Sequence, residues 1–153
     1  MSSPSAPDTP YPLEPVLDFM RLLWSIEHGL QRSSKRMEAA LGITGPQRLV
    51  LRVVGKFPGL SAGELAHIVR LHPSTITGIL QRLVDRGLLE RKRDPADSRR
   101  ARLQLKARAR PFTRTTSGTV EHAVTQALDA AGAANVGAAR RVLQEIARRL
   151  NDS

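Results

Sequence analysis

Residues 61–106 restrict the folds open to this chain more than any other stretch. They begin with a short amphipathic segment that breaks at Leu71-His72-Pro73. A longer apolar repeat with helical spacing covers residues 74–86, and Gly87 separates it from a basic, alternating segment that ends at Lys106. The pattern predicts two short helices joined by a tight break, followed at once by a strand, a charged turn and a second strand.

The second helix of this pair has one apolar and one polar face. Pro73 lies in its first turn, where the missing N–H costs nothing. Apolar residues at steps of three and four are expected to pack on the preceding helices: Ile76, Ile79, Leu80, Leu83 and Val84. The free face carries Ser74, Thr75, Thr77, Gly78, Gln81, Arg82 and Asp85. Such small hydrogen-bonding groups suit the major groove of DNA, where side chains must reach base edges and phosphates.

Gly78 is unusual within this helix. Glycine in a helix interior costs about 1 kcal/mol relative to alanine, so some other interaction should offset it. A close approach of the helix to DNA is one explanation, and close packing on another helix is the other.

The basic segment that follows is predicted to be a hairpin. Residues 94–98 have the composition of a turn, and Leu103 and Leu105 fall on one side of the returning strand. Between Arg70 and Arg110 there are twelve Lys or Arg and four Asp or Glu, a net charge of +8 out of the chain's +10. A charge run alone is usually a solvated face, but beside a helix-turn-helix this one indicates a surface that contacts DNA phosphates.

Composition excludes several other classes of protein. The 153 residues suffice for one domain with a real core, and a pI of about 11.4 favours a polyanionic partner, nucleic acid first and acidic membrane second. The absence of cysteine excludes disulfides, thiol catalysis and thiolate metal sites. With neither a signal peptide nor a long apolar run in the sequence, a soluble cytoplasmic protein without a membrane partner is expected.

The segment before the helix pair predicts a tail and two further helices. Residues 1–12 are expected to be a disordered tail, and residues 13–41 one long amphipathic helix. Its stripe favours core packing, although Trp24 near Arg21 and His28 could border a pocket for an aromatic acid.

Capping boxes are predicted at Thr44-x-x-Gln47 and Ser61-x-x-Glu64. The residues expected to face inward are Leu49, Val50, Val53, Val54 and Phe57 in the second helix and Leu65, Ile68 and Val69 in the third.

Two helices are predicted after the hairpin. Val120, Val124 and Leu128 recur at steps of four, and Gly132 should end that helix. Asn135 is expected to cap the last helix. Its apolar positions follow the spacing of a coiled-coil seam: Val136, Ala139, Leu143, Ile146 and Leu150. The first and last helices carry more apolar surface than the DNA-binding module needs, which predicts a two-fold dimer with another copy of the chain.

Two motifs accompany this order of elements: Leu-x-x-x-Gly-Leu-Leu-x-Arg at residues 83–91 and Asp-Pro-Ala-Asp-Ser-Arg-Arg at 94–100. Together, the order and the motifs resemble the MarR family of bacterial transcription regulators. The resemblance covers roughly residues 16–150. It implies a mainly α fold with a two- or three-stranded β-wing: a winged helix-turn-helix over residues 42–106, with dimerisation helices at 13–41 and 107–153. It also implies a homodimer, a recognition helix in the major groove, a wing arginine in the minor groove, and release from DNA when a small phenolic or aromatic-acid effector binds.

Carried over residue by residue, the resemblance gives the DNA-binding candidates Ser74, Thr75, Thr77, Gly78, Gln81, Arg82, Arg93, Asp97, Arg99 and Arg100. The wing arginine is Arg99 or Arg100, with Asp97 placed to brace it. Arg21, Trp24, His28 and Arg52 are ligand candidates by analogy with the family's pocket.

The sequence departs from the family pattern after the wing. The usual Thr cap and Gly are absent from residues 105–109, and Pro111 falls where the second turn of the fifth helix would lie. That helix is therefore expected to start late or to kink.

Three classes of function compete. The first is a sequence-specific repressor, and the second is a sequence-independent architectural DNA protein, which the net charge alone would equally allow. An enzyme is disfavoured because His28, His67, His72 and His122 are scattered and no glycine-rich phosphate loop is present. No cofactor or metal is predicted, although His67 and His72 in principle suit a metal-sensing site.

Overall fold

The computed structural model describes residues 11–114 and 117–152, so most of the predicted tail lies outside the described residues. Four helices come first, then a two-stranded hairpin, a short 3-10 helix and two C-terminal helices. The elements are α1 (Pro15–Leu41), α2 (Gly45–Lys56), α3 (Ala62–Val69), α4 (Pro73–Asp85), β1 (Leu89–Arg93), β2 (Ala101–Leu105), the 3-10 helix (Ala107–Phe112), α5 (Val120–Ala131) and α6 (Ala133–Asn151). The predicted fold class, mainly α with a small β-wing, is confirmed.

Both predicted capping boxes are present. The side chain of Thr44 accepts from the backbone N–H of Gln47, and the Gln47 side chain accepts from the backbone N–H of Thr44. Ser61 and Glu64 make the same reciprocal pair. The backbone N–H of Ser61 donates to the Glu64 carboxylate at 2.8 Å and lowers the pKa of that carboxyl. The starts of α2 and α3 are thus fixed by local sequence.

The core lies where α2, α3, α4 and the hairpin meet. The predicted inner face of α4 is confirmed, with Ile76, Ile79, Leu80 and Leu83 buried and Val84 packed against them. Leu103 is fully buried and Leu105 packs beside it, as the alternation in β2 predicted.

The inner faces of α2 and α3 are rotated from the predicted ones. Leu49, Phe57 and Ile68 are exposed, so their predicted inward orientation is wrong. Leu51 and Ala66 are buried instead. The buried positions of α2 are 47, 48, 50, 51 and 54, which lie about one residue further round the helix than the predicted stripe.

The terminal helices leave most of their apolar surface uncovered within one chain. In α1 only Met37 is buried, whereas Val16 is 69% and Trp24 is 61% exposed. Most of the α1 stripe is therefore not covered by the core of a single chain. No residue of α5 or α6 is buried, although the structure describes both helices throughout.

Pro111 explains the shape of the segment after the hairpin. It lies in the 3-10 helix, and α5 begins only at Val120 with Thr119 as its N-cap. The late start predicted from Pro111 is confirmed. The predicted Asn135 cap is wrong, because α6 already begins at Ala133 and the Asn135 side chain donates back to the carbonyl of Ala131 at 2.9 Å.

Across the described part of the chain, every helix is too short or too polar to cross a membrane.

Candidate nucleic-acid interface and the adjacent cavity

The polar face of α4 is exposed along its whole length. Its apolar face is held by contacts with α2, α3 and β1, so the opposite side points to solvent. All six base-reading candidates are exposed: Ser74, Thr75, Thr77, Gly78, Gln81 and Arg82. An α-helix presented in this way has the dimensions to enter the major groove.

Gly78 lies in open space on this face. A Cβ atom added to it would meet no heavy atom within 4 Å among the described residues. The explanation by packing on another helix of the chain is therefore wrong. The propensity cost of this glycine is not offset by any close contact within the described chain.

His72 fixes the start of α4, and sequence reasoning missed this role. Its ring Nδ1 accepts from the backbone N–H of Ser74 at 3.1 Å. The ring thus replaces the Ser, Thr, Asp or Asn that usually caps a helix. Proline at the first helical position was the available signal, because it marks the preceding residue as the N-cap.

The wing is a regular antiparallel hairpin fastened at its base. Leu89 lies opposite Leu105, and Arg93 opposite Ala101. On the other edge of β2, the N–H of Leu103 donates to the carbonyl of Leu60 at 2.8 Å, and the N–H of Gly59 donates to the carbonyl of Leu103 at 2.9 Å. The segment before α3 thereby anchors the wing to the helices.

Two aspartates shape the tip of the wing. The backbone N–H of Ala96 donates to Asp94 at 2.9 Å, and Arg102 pairs with the same carboxylate at 3.1 Å. These two interactions, the first being the larger, lower the pKa of Asp94. Asp97 accepts from the backbone N–H of Arg99 at 3.0 Å, so it braces the backbone of Arg99 and not its guanidinium.

The cationic candidates of the wing are exposed. Arg93, Arg99 and Arg100 lie at the end of the hairpin distant from its anchored base. Arg100 and Arg102 also contribute, as small effects, to the lowered pKa of Glu64 at the start of α3. The tip of the wing and the start of α3 therefore lie within electrostatic reach of each other.

A cavity of about 1120 Å³ opens beside α2. Its walls are mostly apolar, and its charged residues are Lys35, Arg52, Lys56 and a single acid, Glu121. The complete lining is Leu30, Gln31, Ser34, Lys35, Gly45, Pro46, Leu49, Arg52, Val53, Gly55, Lys56, Leu71, Leu105, Thr113, Val120, Glu121 and Val124. The cavity thus joins residues of α1, α2 and α5.

Only one of the four ligand candidates lines this cavity. Arg52 does so, whereas Arg21, Trp24 and His28 do not. Arg21 pairs with Asp18 at 2.7 Å on the exposed side of α1. The structure therefore does not bring the four residues together.

Arg48 is the most deeply buried charge in the described chain and was not singled out from the sequence. Its side chain is only 1% exposed. It pairs with the Glu121 carboxylate and donates to the carbonyls of Phe112, at 2.7 Å, and Arg114. Nothing in the sequence near Arg48 indicated its burial or its partners.

Glu121 connects Arg48 to the cavity. Arg52 pairs with the same carboxylate oxygen at 3.1 Å. Partial burial raises the pKa of Glu121, but hydrogen bonds from Arg48 and Arg52 outweigh it and hold the pKa below its ordinary value. Glu121 is therefore an ionised link between α5 and two arginines of α2.

No metal site accompanies these features within residues 11–114 and 117–152. No three His, Cys, Asp or Glu side chains in those ranges lie close enough together to hold a metal ion. His67 and His72 therefore form no such group with a third described ligand.

Comparison with known proteins identifies the family. The MarR family profile matches residues 41–100. The solved structure of the PcaV transcriptional regulator of Streptomyces coelicolor, with its natural ligand, is 30% identical, covers 88% of this chain and 90% of its own, and has a TM-score of 0.62. The HTH-type transcriptional repressor Rv2887 of Mycobacterium tuberculosis is 26% identical over 82% of this chain and 90% of its own. A MepR–DNA complex of S. aureus shares the fold, with a TM-score of 0.70 at 18% identity, 86% of this chain and 97% of its own.

PcaV and Rv2887 are a transcriptional regulator and a transcriptional repressor. The chain belongs to the MarR family of winged helix-turn-helix transcriptional regulators.

Proposed function

We propose that the protein is a dimeric, sequence-specific repressor that binds a palindromic operator and leaves it when a small ligand binds. The observation that carries this proposal is the exposed polar face of α4, with open space at Gly78, on the same module as a basic wing. The Staphylococcus aureus protein MepR, which has the same fold, was solved in complex with DNA, and this supports DNA binding by the present chain.

The two parts of the module suit different tasks. The face of α4 has one cation, Arg82, among small polar side chains, so it suits the reading of bases. The wing holds Arg93, Arg99 and Arg100 in the open and suits phosphate contacts and the minor groove. A protein that coats DNA without preference would carry more cations on α4, and this disfavours the architectural alternative.

The uncovered apolar stripes support a homodimer. Val16 near the start of α1 and Leu150 near the end of α6 are 69% and 70% exposed. Exposed apolar stripes of this kind are usually covered by another protein. A second copy would cover it and would set two α4 helices at the spacing of two half-sites.

The cavity supports an anionic, largely apolar effector. Lys35, Arg52 and Lys56 supply positive charge beside apolar walls, and Glu121 already pairs with two arginines. The negative group of a ligand at Arg52 would compete with Glu121 for that guanidinium. Because Arg48 and Glu121 join α2 to α5, such a ligand would alter how the winged module sits on the dimerisation helices. PcaV was solved with its natural ligand.

Selection of DNA tests the central claim. Purified full-length protein is mixed with a random pool of fragments at physiological salt, and the retained fragments are sequenced. An inverted repeat bound at least about a thousandfold more tightly than random DNA is expected, within the range of specific regulators. Equal retention of all sequences would favour the architectural alternative. An aromatic carboxylate that stabilises the protein and weakens its binding to the selected site would support the effector.

A further inference from the structure

We propose that α4 recognises base amino groups, adenine N6 or cytosine N4, through a stripe of oxygen atoms that can only accept hydrogen bonds. The stripe consists of Ser74, Thr77 and Gln81. This inference rests on the proposed entry of α4 into the major groove and names the base atoms that α4 contacts there.

The hydroxyl of Thr77 has already used its hydrogen. Its Oγ1 donates to the carbonyl of Pro73 at 2.9 Å, one turn earlier in the helix. A hydroxyl has a single donor and two acceptor lone pairs. Thr77 therefore presents a methyl group and an acceptor oxygen to the outside.

The hydroxyl of Ser74 lies against His72. The ring Nδ1 of His72 accepts from the backbone N–H of Ser74 at 3.1 Å, as in the tautomer that carries its proton on Nε2. Ser74 Oγ lies 2.7 Å from the same Nδ1. In that tautomer the serine hydroxyl donates to Nδ1, and its lone pairs face DNA.

Gln81 completes the stripe with its carbonyl oxygen. Its Nε2 donates one of its two hydrogens to Asp85 at 2.8 Å, which turns Oε1 away from that carboxylate and leaves one N–H beside it. Steps of three and four residues place Ser74, Thr77 and Gln81 on one side of the helix, over about 10 Å at a rise of 1.5 Å per residue. Gly78 lies beside them without a side chain, so bases can come close to this side.

The hydrogen-bonding groups in the major groove determine which base atoms this stripe can bind. Adenine N6 and cytosine N4 are the hydrogen-bond donors there, whereas guanine shows N7 and O6 and thymine shows O4, all acceptors. An acceptor facing an acceptor forms no bond and repels. Every base pair carries one such amino group, on its adenine or its cytosine, so Ser74 and Thr77 should select which strand carries it at the pairs they contact.

Comparison of two selected pools tests the inference. Random DNA is selected with the full-length wild type and with Thr77→Val, which keeps the branched shape but removes the oxygen. The positions whose base preference differs between the pools mark the Thr77 contact. Thr77 should contact the adenine or cytosine of that pair, so the wild type should select which strand carries it. The valine variant should lose that preference and bind the wild-type site three- to tenfold more weakly, the value of one hydrogen bond.

Where that base is adenine, 2-aminopurine in its place removes the amino group from the major groove and keeps pairing with thymine. The wild type should lose three- to tenfold in affinity, and Thr77→Val should lose nothing further. Thr125→Val is the matched control, because Thr125 makes the same back-bond, to the carbonyl of Glu121 at 2.7 Å, on α5. It should select the wild-type bases.

Different outcomes would contradict the acceptor inference and the proposed function. Equal losses by wild type and Thr77→Val on 2-aminopurine, or unchanged selection by a Thr77→Val variant with wild-type circular dichroism, would overturn the acceptor inference alone. A wild type that selects no sequence would overturn the proposed function together with it.

Discussion

Arg48 on α2 and Glu121 on α5 are separated by 73 residues in the sequence and form an ion pair whose arginine is almost fully buried. The same guanidinium donates to two backbone carbonyls in the segment that leads to α5. One side chain therefore joins the winged module to the C-terminal helices. Removing one partner of such a buried pair leaves the other groups unpaired, which costs more than the pair itself contributes.

Replacing Arg48 should destabilise the protein strongly. Arg48→Met keeps most of the volume but leaves the carbonyls of Phe112 and Arg114 without their donor, and a loss of about 3 kcal/mol in the free energy of unfolding is expected. Urea unfolding followed by circular dichroism measures it. Arg148→Ala, which removes an exposed arginine paired with Glu145, is the matched control and should leave the midpoint unchanged. Equal effects of the two substitutions would contradict the buried role of Arg48.

Glu121 should make the free energy of unfolding depend on pH in the acidic range. Its pKa is held below the ordinary value in the folded protein, so its contribution is fully present above about pH 4.5, near the unfolded value. That contribution is lost as the pH falls through the lower folded value. Glu121→Gln should therefore lose less stability than the wild type between about pH 5 and pH 3. Parallel curves of unfolding free energy against pH would refute this account.

Gly78→Ala should change stability and DNA binding in opposite directions. The new methyl group meets nothing in the free protein, and alanine favours the helix, so stability should rise by up to about 1 kcal/mol. Binding to the selected site should weaken because the methyl group reaches the bases. Gly137→Ala in α6 also adds a methyl group within a helix and should not weaken binding. If Gly78→Ala leaves the affinity intact, α4 does not approach DNA closely at this point.

The wing arginines should govern the salt dependence of binding. Arg99→Ala and Arg100→Ala each remove one exposed cation, and each should reduce the slope of log affinity against log salt by about 0.9 if that cation contacts a phosphate. Fluorescence anisotropy at four salt concentrations measures the slope. Arg140→Ala removes an exposed charge from α6 and serves as the control. A slope that shifts equally in all three variants would show a general charge effect without a specific wing contact.

The exposed ends of α1 and α6 should hold the dimer together. Val16→Glu and Leu150→Glu each place a charge in an apolar stripe and should shift the chain towards the monomer in sedimentation at micromolar concentration. Ile68→Glu on α3 is the control, because Ile68 is also exposed but lies outside the terminal helices. Monomeric wild type, or dissociation caused by Ile68→Glu alone, would place the dimer interface elsewhere.

Local sequence determined the start of each helix where a side chain caps its own backbone. Thr44 with Gln47 and Ser61 with Glu64 are readable because both partners lie three residues apart. The N-cap of α4, His72, was not predicted because histidine is an uncommon N-cap residue. Asn135 was misread because Gly132, with a φ of 78°, already lets the chain turn into α6.

The sequence by itself determined the order of the helices, the hairpin, the buried face of α4 and the position of the charge, because each depends on residues a few steps apart along the chain. Only the tertiary structure decided that Arg48 is buried against Glu121, that Gly78 lies in open space, and that Arg52 lines a cavity while Trp24 does not. The physical reason is that desolvation, ion pairing and cavity shape depend on contacts between segments that are distant in the sequence. The periodicity of apolar residues does not specify those contacts.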